Sequence, residues 1–272
     1  MKQGTINAVS NILENIANNY FESSDFKDED AVIFSIIHSI VKKSEDIHFL
    51  LLYKRYDSVE IIGRTILELY VSLLYVLKGD TKRRALSYLY SYKMQIAKKL
   101  EQTINLIPHG EEILEFTEKE RNMLLHEVPN ASTLADYKGH YQELYNSLFS
   151  EGVKNKMNWY NLDGKISNFS DLMKAVDIKE ADYYFFYGIG SLEVHGLSTI
   201  GNMTIHKGNF AMKSSVNLPL LNHKISSYLI KGINKIIKHY EKETTKMERT
   251  KINRYIKQME LNFLRQVAED KL

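Results

Sequence analysis

Only three prolines, Pro108, Pro129 and Pro219, interrupt 272 residues, and the stretches between them repeat apolar residues at helical spacing. Proline removes a backbone donor and clashes with the preceding turn, so its scarcity leaves long helices unopposed. The pattern predicts an all-α helical bundle. One segment departs from it: GNMTIHKGNFAMKSS holds two glycines and no helical period, so a small hairpin or an irregular loop is expected near 200–215.

Helices are expected over about 6–20, from the acidic DFKDED segment to about Tyr53, and over 57–77, 81–106, 110–126 and 133–149. The first four suit an antiparallel bundle. Short helices follow at 170–176 and 180–197, and one or two cover 218–266, with a break near Thr244 and Thr245. With no repeat, linker or low-complexity run, residues 1–272 read as one domain.

The 44% hydrophobic content is enough for a core at this length. Cysteine is absent, which excludes disulfides, thiolate metal sites and cysteine nucleophiles and fits a reducing compartment such as the cytoplasm. The first 25 residues lack the apolar run of a signal peptide. The stretch from Val59 to Leu77 approaches membrane-span length but carries Glu60, Arg64 and Glu68, so it is read as a core helix, and no membrane association is expected.

Net charge is only +2, yet it is unevenly placed: from Lys224 onward 12 Lys/Arg face 6 Asp/Glu, against 24 and 28 before it. The basic C-terminal helices are either a solvated face or a dock for a protein partner.

Two groups of polar residues stand out. Arg64 and Glu68 lie four residues apart, about 40° around a helix, so they share a face. They read as a partly buried ion pair, or as an arginine held by a carboxylate so that it points into a pocket and binds phosphate or carboxylate. Farther on, Tyr184, Gly188, Ser191 and His195 recur at helical spacing, and Gly196 suits a helix end. His195 reads as a satisfied core histidine or as part of a site with Arg64 and Glu68. The aromatic run from Tyr183 to Tyr187 is read as core rather than as a base-stacking platform.

The combination GRTILELYVSLLYVL, RRALSYLYSYK, Trp159 and YYFFYGIGSLEVHG resembles a bacterial family, domain of unknown function 5677, over about Lys54 to Gly208. That resemblance implies shared positions at Arg64 and Glu68 of an R-x-x-x-E helix and at Ser191 and His195 of an S-x-x-x-H-G segment. It implies no activity.

A second, local stretch, EKERNMLLHE, resembles the R-x(4–6)-H signature of HEPN proteins, helical domains that include metal-independent ribonucleases of bacterial defence systems. This implies roles for Arg121, Asn122 and His126, the histidine moving a proton and the arginine clamping phosphate, with the site doubled across a homodimer. A regular helix sets Arg121 and His126 about 140° apart, so their convergence requires the helix end to unwind near Pro129.

The nine histidines include no H-x-x-x-H or H-E-x-x-H pair, so a metal site would need separated residues such as His195, His206 and His223. Phosphate-loop, dinucleotide and G-x-S-x-G patterns are absent, and no cofactor is expected. Two functions therefore compete. The first is a HEPN-like, metal-independent RNA-cleaving effector of defence or abortive-infection type. The second is a non-catalytic sensor or adaptor that binds an anionic small molecule or a protein partner.

Overall fold

The computed structural model describes residues 3–23, 26–55, 58–106, 112–154, 156–189, 203–206, 209–212 and 218–269. The chain is all-α, as its periodicity predicts. Helices α1 (Gln3–Ser23), α2 (Asp28–Leu52), α3 (Val59–Val76), α4 (Thr81–Leu106), α5 (Glu112–His126) and α6 (Leu134–Ser147) are followed by short α7 (Phe169–Ala175) and α8 (Glu180–Tyr183). A π-helical turn, Tyr184–Ile189, extends α8. The segment near 200–215 contains a hairpin of β1 (Met203–His206) and antiparallel β2 (Asn209–Met212), with Met203 opposite Met212. Helix α9 (Leu218–His239) and α10 (Lys246–Glu269) complete the order, separated by a 3₁₀ turn at Glu241–Glu243.

The chain divides into two compact units, residues 80–171 being inserted in sequence within a unit formed by 1–79 and 172–272. In the larger unit, α2 packs on α1 and α3, and α9 packs on α2 and α3. Residues Ile33, Ile36, Ile37 and Ile40 of α2 are fully or almost fully buried and recur at three- and four-residue spacing. On α9 the buried stripe runs through Ile225, Leu229, Ile233 and Ile236. Gly232 lets this helix approach closely, because a Cβ there would meet Ile37 Cδ1 at 3.2 Å and Leu73 Cδ2 at 3.5 Å.

Helix α2 begins where its acids suit the partial positive charge of a helix N-terminus. Asp30 does more than that: it accepts from the Lys27 amide at 3.1 Å, from the Tyr20 hydroxyl at 3.0 Å and from the Tyr240 hydroxyl at 2.7 Å. One buried carboxylate thus joins the end of α1, the start of α2 and the residue after α9.

The smaller unit is built by α4 against α5 and α6. The first four helices therefore do not make one self-contained bundle, since α4 finds its partners later in the chain. Ala97, Leu124, Val128, Leu134 and Tyr137 form one core cluster in this unit, and Tyr145, Phe149 and Leu162 form another. Arg83 organises the long loop after α6: it donates to the carbonyls of Leu148 at 2.6 Å and Leu162 at 3.2 Å, to Ser150 Oγ at 3.0 Å and to Asp163 Oδ1 at 3.0 Å. The same loop seats the tryptophan, whose ring meets Tyr88 edge-on at 4.8 Å.

Among the described residues no helix is long and apolar enough to cross a membrane.

Candidate functional site

Helix α3 is apolar enough to be buried along most of its length, and Arg64 and Glu68 sit on its half-buried face. Arg64 Nε donates to Glu68 Oε1 at 3.1 Å. The pair has a third member that the sequence reading placed in the core. The Tyr187 hydroxyl donates to the same Glu68 oxygen, and the Arg64 guanidinium carbon lies 4.1 Å from the Tyr187 ring centroid. Tyr183 stacks on Tyr187 at 4.7 Å. The arginine is thus held by a carboxylate along one edge and by an aromatic face.

Electrostatics agree with this arrangement. Burial works against the Arg64 charge, but the hydrogen bond to Glu68, the interaction with Tyr187 and the Glu68 charge outweigh it and raise its pKa. Burial first, and then the Glu68 hydrogen bond and charge, push the Tyr187 phenol above its ordinary range. It stays a protonated donor near neutral pH. A quarter of the Arg64 side chain remains exposed, so the cation is ordered without being sealed off.

The choice of Tyr187 follows from packing one residue earlier. Gly63 leaves room for the buried Phe186 ring, since a Cβ there would meet Phe186 Cε1 at 3.0 Å and Leu221 Cδ1 at 3.1 Å. The π-helical turn then rotates Tyr187 onto the next residues of α3. Regular spacing singles out Tyr184 instead, but Tyr184 is 63% exposed and its ring meets Tyr183 edge-on. Gly63→Ala should therefore destabilise the chain by about 1–3 kcal/mol through overpacking. Thermal unfolding checks this, and a variant as stable as wild type would show that the Phe186 seat tolerates a methyl group.

On α8, Asp182 carries a second polar cluster that the sequence did not reveal. It is buried, pairs with Lys224 and accepts from the Tyr228 hydroxyl at 2.8 Å. Tyr228 stacks on Tyr70 at 4.9 Å. Burial, with the Asp182 charge behind it, pushes the Tyr70 phenol up to about 12, and the same two causes raise Tyr228 further. The only hint in the sequence is Asp182 directly ahead of an aromatic run, and that is compatible with an ordinary helix start.

Ser191, His195 and Gly196 lie outside the described residues, as does the side chain of His206. His223 lies on α9. Among the described residues no three His, Asp or Glu side chains are grouped to hold a metal ion.

Helix α5 continues to His126, so it does not unwind in a way that joins Arg121 to His126. Asn122 and His126, one turn apart, line an open groove with Glu115, Phe116, Lys119 and Met123, whereas half-buried Arg121 does not line it. Phe116 and Met123 are more than half exposed there. The structure therefore brings Arg64, Glu68 and Tyr187 together, brings Asn122 and His126 together, and keeps Arg121 out of the second group.

No curated protein and no solved structure matches the chain. A family model described as "Family of unknown function (DUF5677)" matches residues 30–212, about two thirds of the sequence. The match begins earlier than the resemblance in the sequence suggests, at the Asp30 carboxylate that ties α2 to its neighbours, and takes in the Arg64, Asp182 and α5 groups. The chain belongs to the DUF5677 family.

Proposed function

We propose that the chain is a HEPN-like RNA-cleaving effector of the bacterial defence or abortive-infection type, with Arg64 as its phosphate clamp. One observation carries the reading: Arg64 is oriented by Glu68 and Tyr187 while part of its side chain stays open to solvent. Cleavage by the ribose 2′-hydroxyl develops negative charge on the phosphoryl oxygens, and a pre-positioned guanidinium stabilises that charge without reorganising. Glu68 takes the Nε–H, one of five donors, and the Tyr187 ring fixes the plane of the fork.

The reaction also needs a group that moves a proton. His195, with Ser191, is one candidate, at positions that the family resemblance marks as shared. His126, with Asn122 beside it in the α5 groove and Arg121 on the same helix, is the candidate implied by the HEPN signature. The proposal includes a homodimer working in the cytoplasm without a metal, as in HEPN ribonucleases.

A second reading, a non-catalytic sensor or adaptor for an anionic small molecule or a protein, is favoured by a specific observation. Among the described residues the groups that act on Arg64 are a carboxylate and a phenol, and Arg121 does not line the groove of His126.

Wild type, Arg64→Lys, His195→Ala and His126→Ala, each checked for folding by circular dichroism, should be induced in bacterial cells and total RNA followed over time. Wild type is expected to fragment RNA. Arg64→Lys keeps the charge but not the fork and should slow fragmentation by about 10²-fold, the usual loss for one charge-stabilising donor. The histidine whose removal stops cleavage is the proton carrier. Intact RNA with the wild type refutes the cleavage reading and leaves the sensor.

A further inference from the structure

We infer that the outward face of α9, through Lys231, Lys235 and Lys238, is a track for the sugar–phosphate backbone of single-stranded RNA. This deepens the RNA reading and rests on it for the identity of the polyanion.

The three lysines are exposed and follow one another at four and three residues, which places them within about 60° of one another on the helix. Along the axis they are about 6 and 4.5 Å apart. Because Ile225, Leu229, Ile233 and Ile236 bury the opposite face of α9 against α2 and α3, the lysine row is outward by construction.

The stretch around the row carries an excess of positive charge. From Lys231 to Lys257 the sequence has nine Lys/Arg and three Asp/Glu. Glu241 pairs with Arg249 at 2.7 Å, and buried Glu248 is directed to the Thr245 amide at 2.8 Å and Asn15 at 3.2 Å. Lys224, two turns before the row on the same helix face, is neutralised by Asp182. Among the described residues Lys231, Lys235 and Lys238 form no ion pair. Arg254 and Lys257 on α10 are exposed as well.

The chemistry of the row selects its partner. A helix that lies on a membrane sets large apolar side chains beside its basic ones. On α9 those side chains are buried. The exposed His239 ring stands one turn beyond Lys235 on the same side of the helix, and lysine acts as a compact point charge rather than as a fork that reads a fixed shape. Such a row suits a regular, flexible polyanion, held without sequence preference.

The test uses the full chain and a fluorescein-labelled 20-nucleotide 2′-O-methyl RNA, which lacks the attacking hydroxyl and so separates binding from cleavage. Anisotropy is measured from 50 to 200 mM NaCl for wild type, for Lys231→Gln/Lys235→Gln/Lys238→Gln and for Lys82→Gln/Lys98→Gln/Lys99→Gln. The last variant removes the same charge from exposed lysines of the smaller unit. The α9 variant, folded by circular dichroism, should bind about tenfold more weakly, with a log–log salt slope shallower by about 2, because each single-strand phosphate contact contributes about 0.7. The control should stay within about twofold of wild type.

Equal loss in both variants, salt-independent binding, or binding to phosphatidylserine vesicles in place of RNA overturns the track. Salt-dependent binding through α9 without cleavage of unmodified RNA removes only the cleavage reading. Cleavage with unchanged affinity in the α9 variant removes only the track.

Discussion

Asp182→Ala should lower stability by about 3 kcal/mol, toward the lower end of what is lost when one partner of a buried ion pair is removed, because Lys224 keeps a quarter of its side chain in solvent. Two groups are stranded at once. Lys224 loses its counter-charge, and the hydroxyl of buried Tyr228 loses its acceptor. An unsatisfied buried donor costs more than the hydrogen bond had contributed, because the group gave up water to reach its partner. The effect is read as a shift in the urea midpoint by far-UV circular dichroism. Asp182→Ala/Lys224→Met should recover much of the loss, since an apolar side chain strands no charge. If the single variant stays within about 0.5 kcal/mol of wild type, or the double variant is no better than the single, the carboxylate is not what docks α8 onto α9.

Asp30→Ala has the second largest expected effect, again about 3 kcal/mol, as two tyrosine hydroxyls and a backbone amide lose one acceptor group together. Burial and then the hydrogen bond and charge of Asp30 raise the Tyr240 phenol well above its ordinary value, so this phenol remains a donor. Its ring is also fixed, edge-on to Tyr20 at 5.0 Å and stacked on Phe34 at 5.1 Å, so the hydroxyl cannot turn to water without breaking packing. Tyr240→Phe removes one hydrogen bond and leaves the carboxylate two others, and it should cost about 1 kcal/mol. The comparison is made in urea at one pH. Equal costs for the two variants would mean that the Tyr240 hydrogen bond alone accounts for the effect of Asp30 and that the Tyr20 and Lys27 contacts add nothing.

The helices were legible because their causes are local. Apolar spacing, acids at the start of α2 and proline after α4 and α5 predict boundaries within a few residues of those observed, and the break before Lys246 falls where it is expected. The Arg64–Glu68 pair was legible for the same reason, since partners four residues apart need only a helix to meet. The assignment of Tyr187 was not. Regular spacing favours Tyr184, and the π-helical turn that overrides it depends on a phenylalanine seated against Gly63, 123 residues earlier in the sequence. The same holds for Asp182, whose partners Lys224 and Tyr228 are more than 40 residues away.

By itself, then, the sequence determined an all-α chain, the extents of most of its described helices and one intrahelical ion pair, because each depends on interactions within a few turns. The helix expected over 180–197 is an α-helix only to Tyr183 and a π-helical turn to Ile189, and 190–197 lie outside the described residues. Only the tertiary structure decided that α4 joins α5 and α6 rather than the preceding three helices, that one glycine admits Phe186, and that Tyr187 and not Tyr184 closes on Arg64. Those outcomes depend on which apolar faces fit together at close range. Shape complementarity between distant segments leaves no periodic trace in the order of residues.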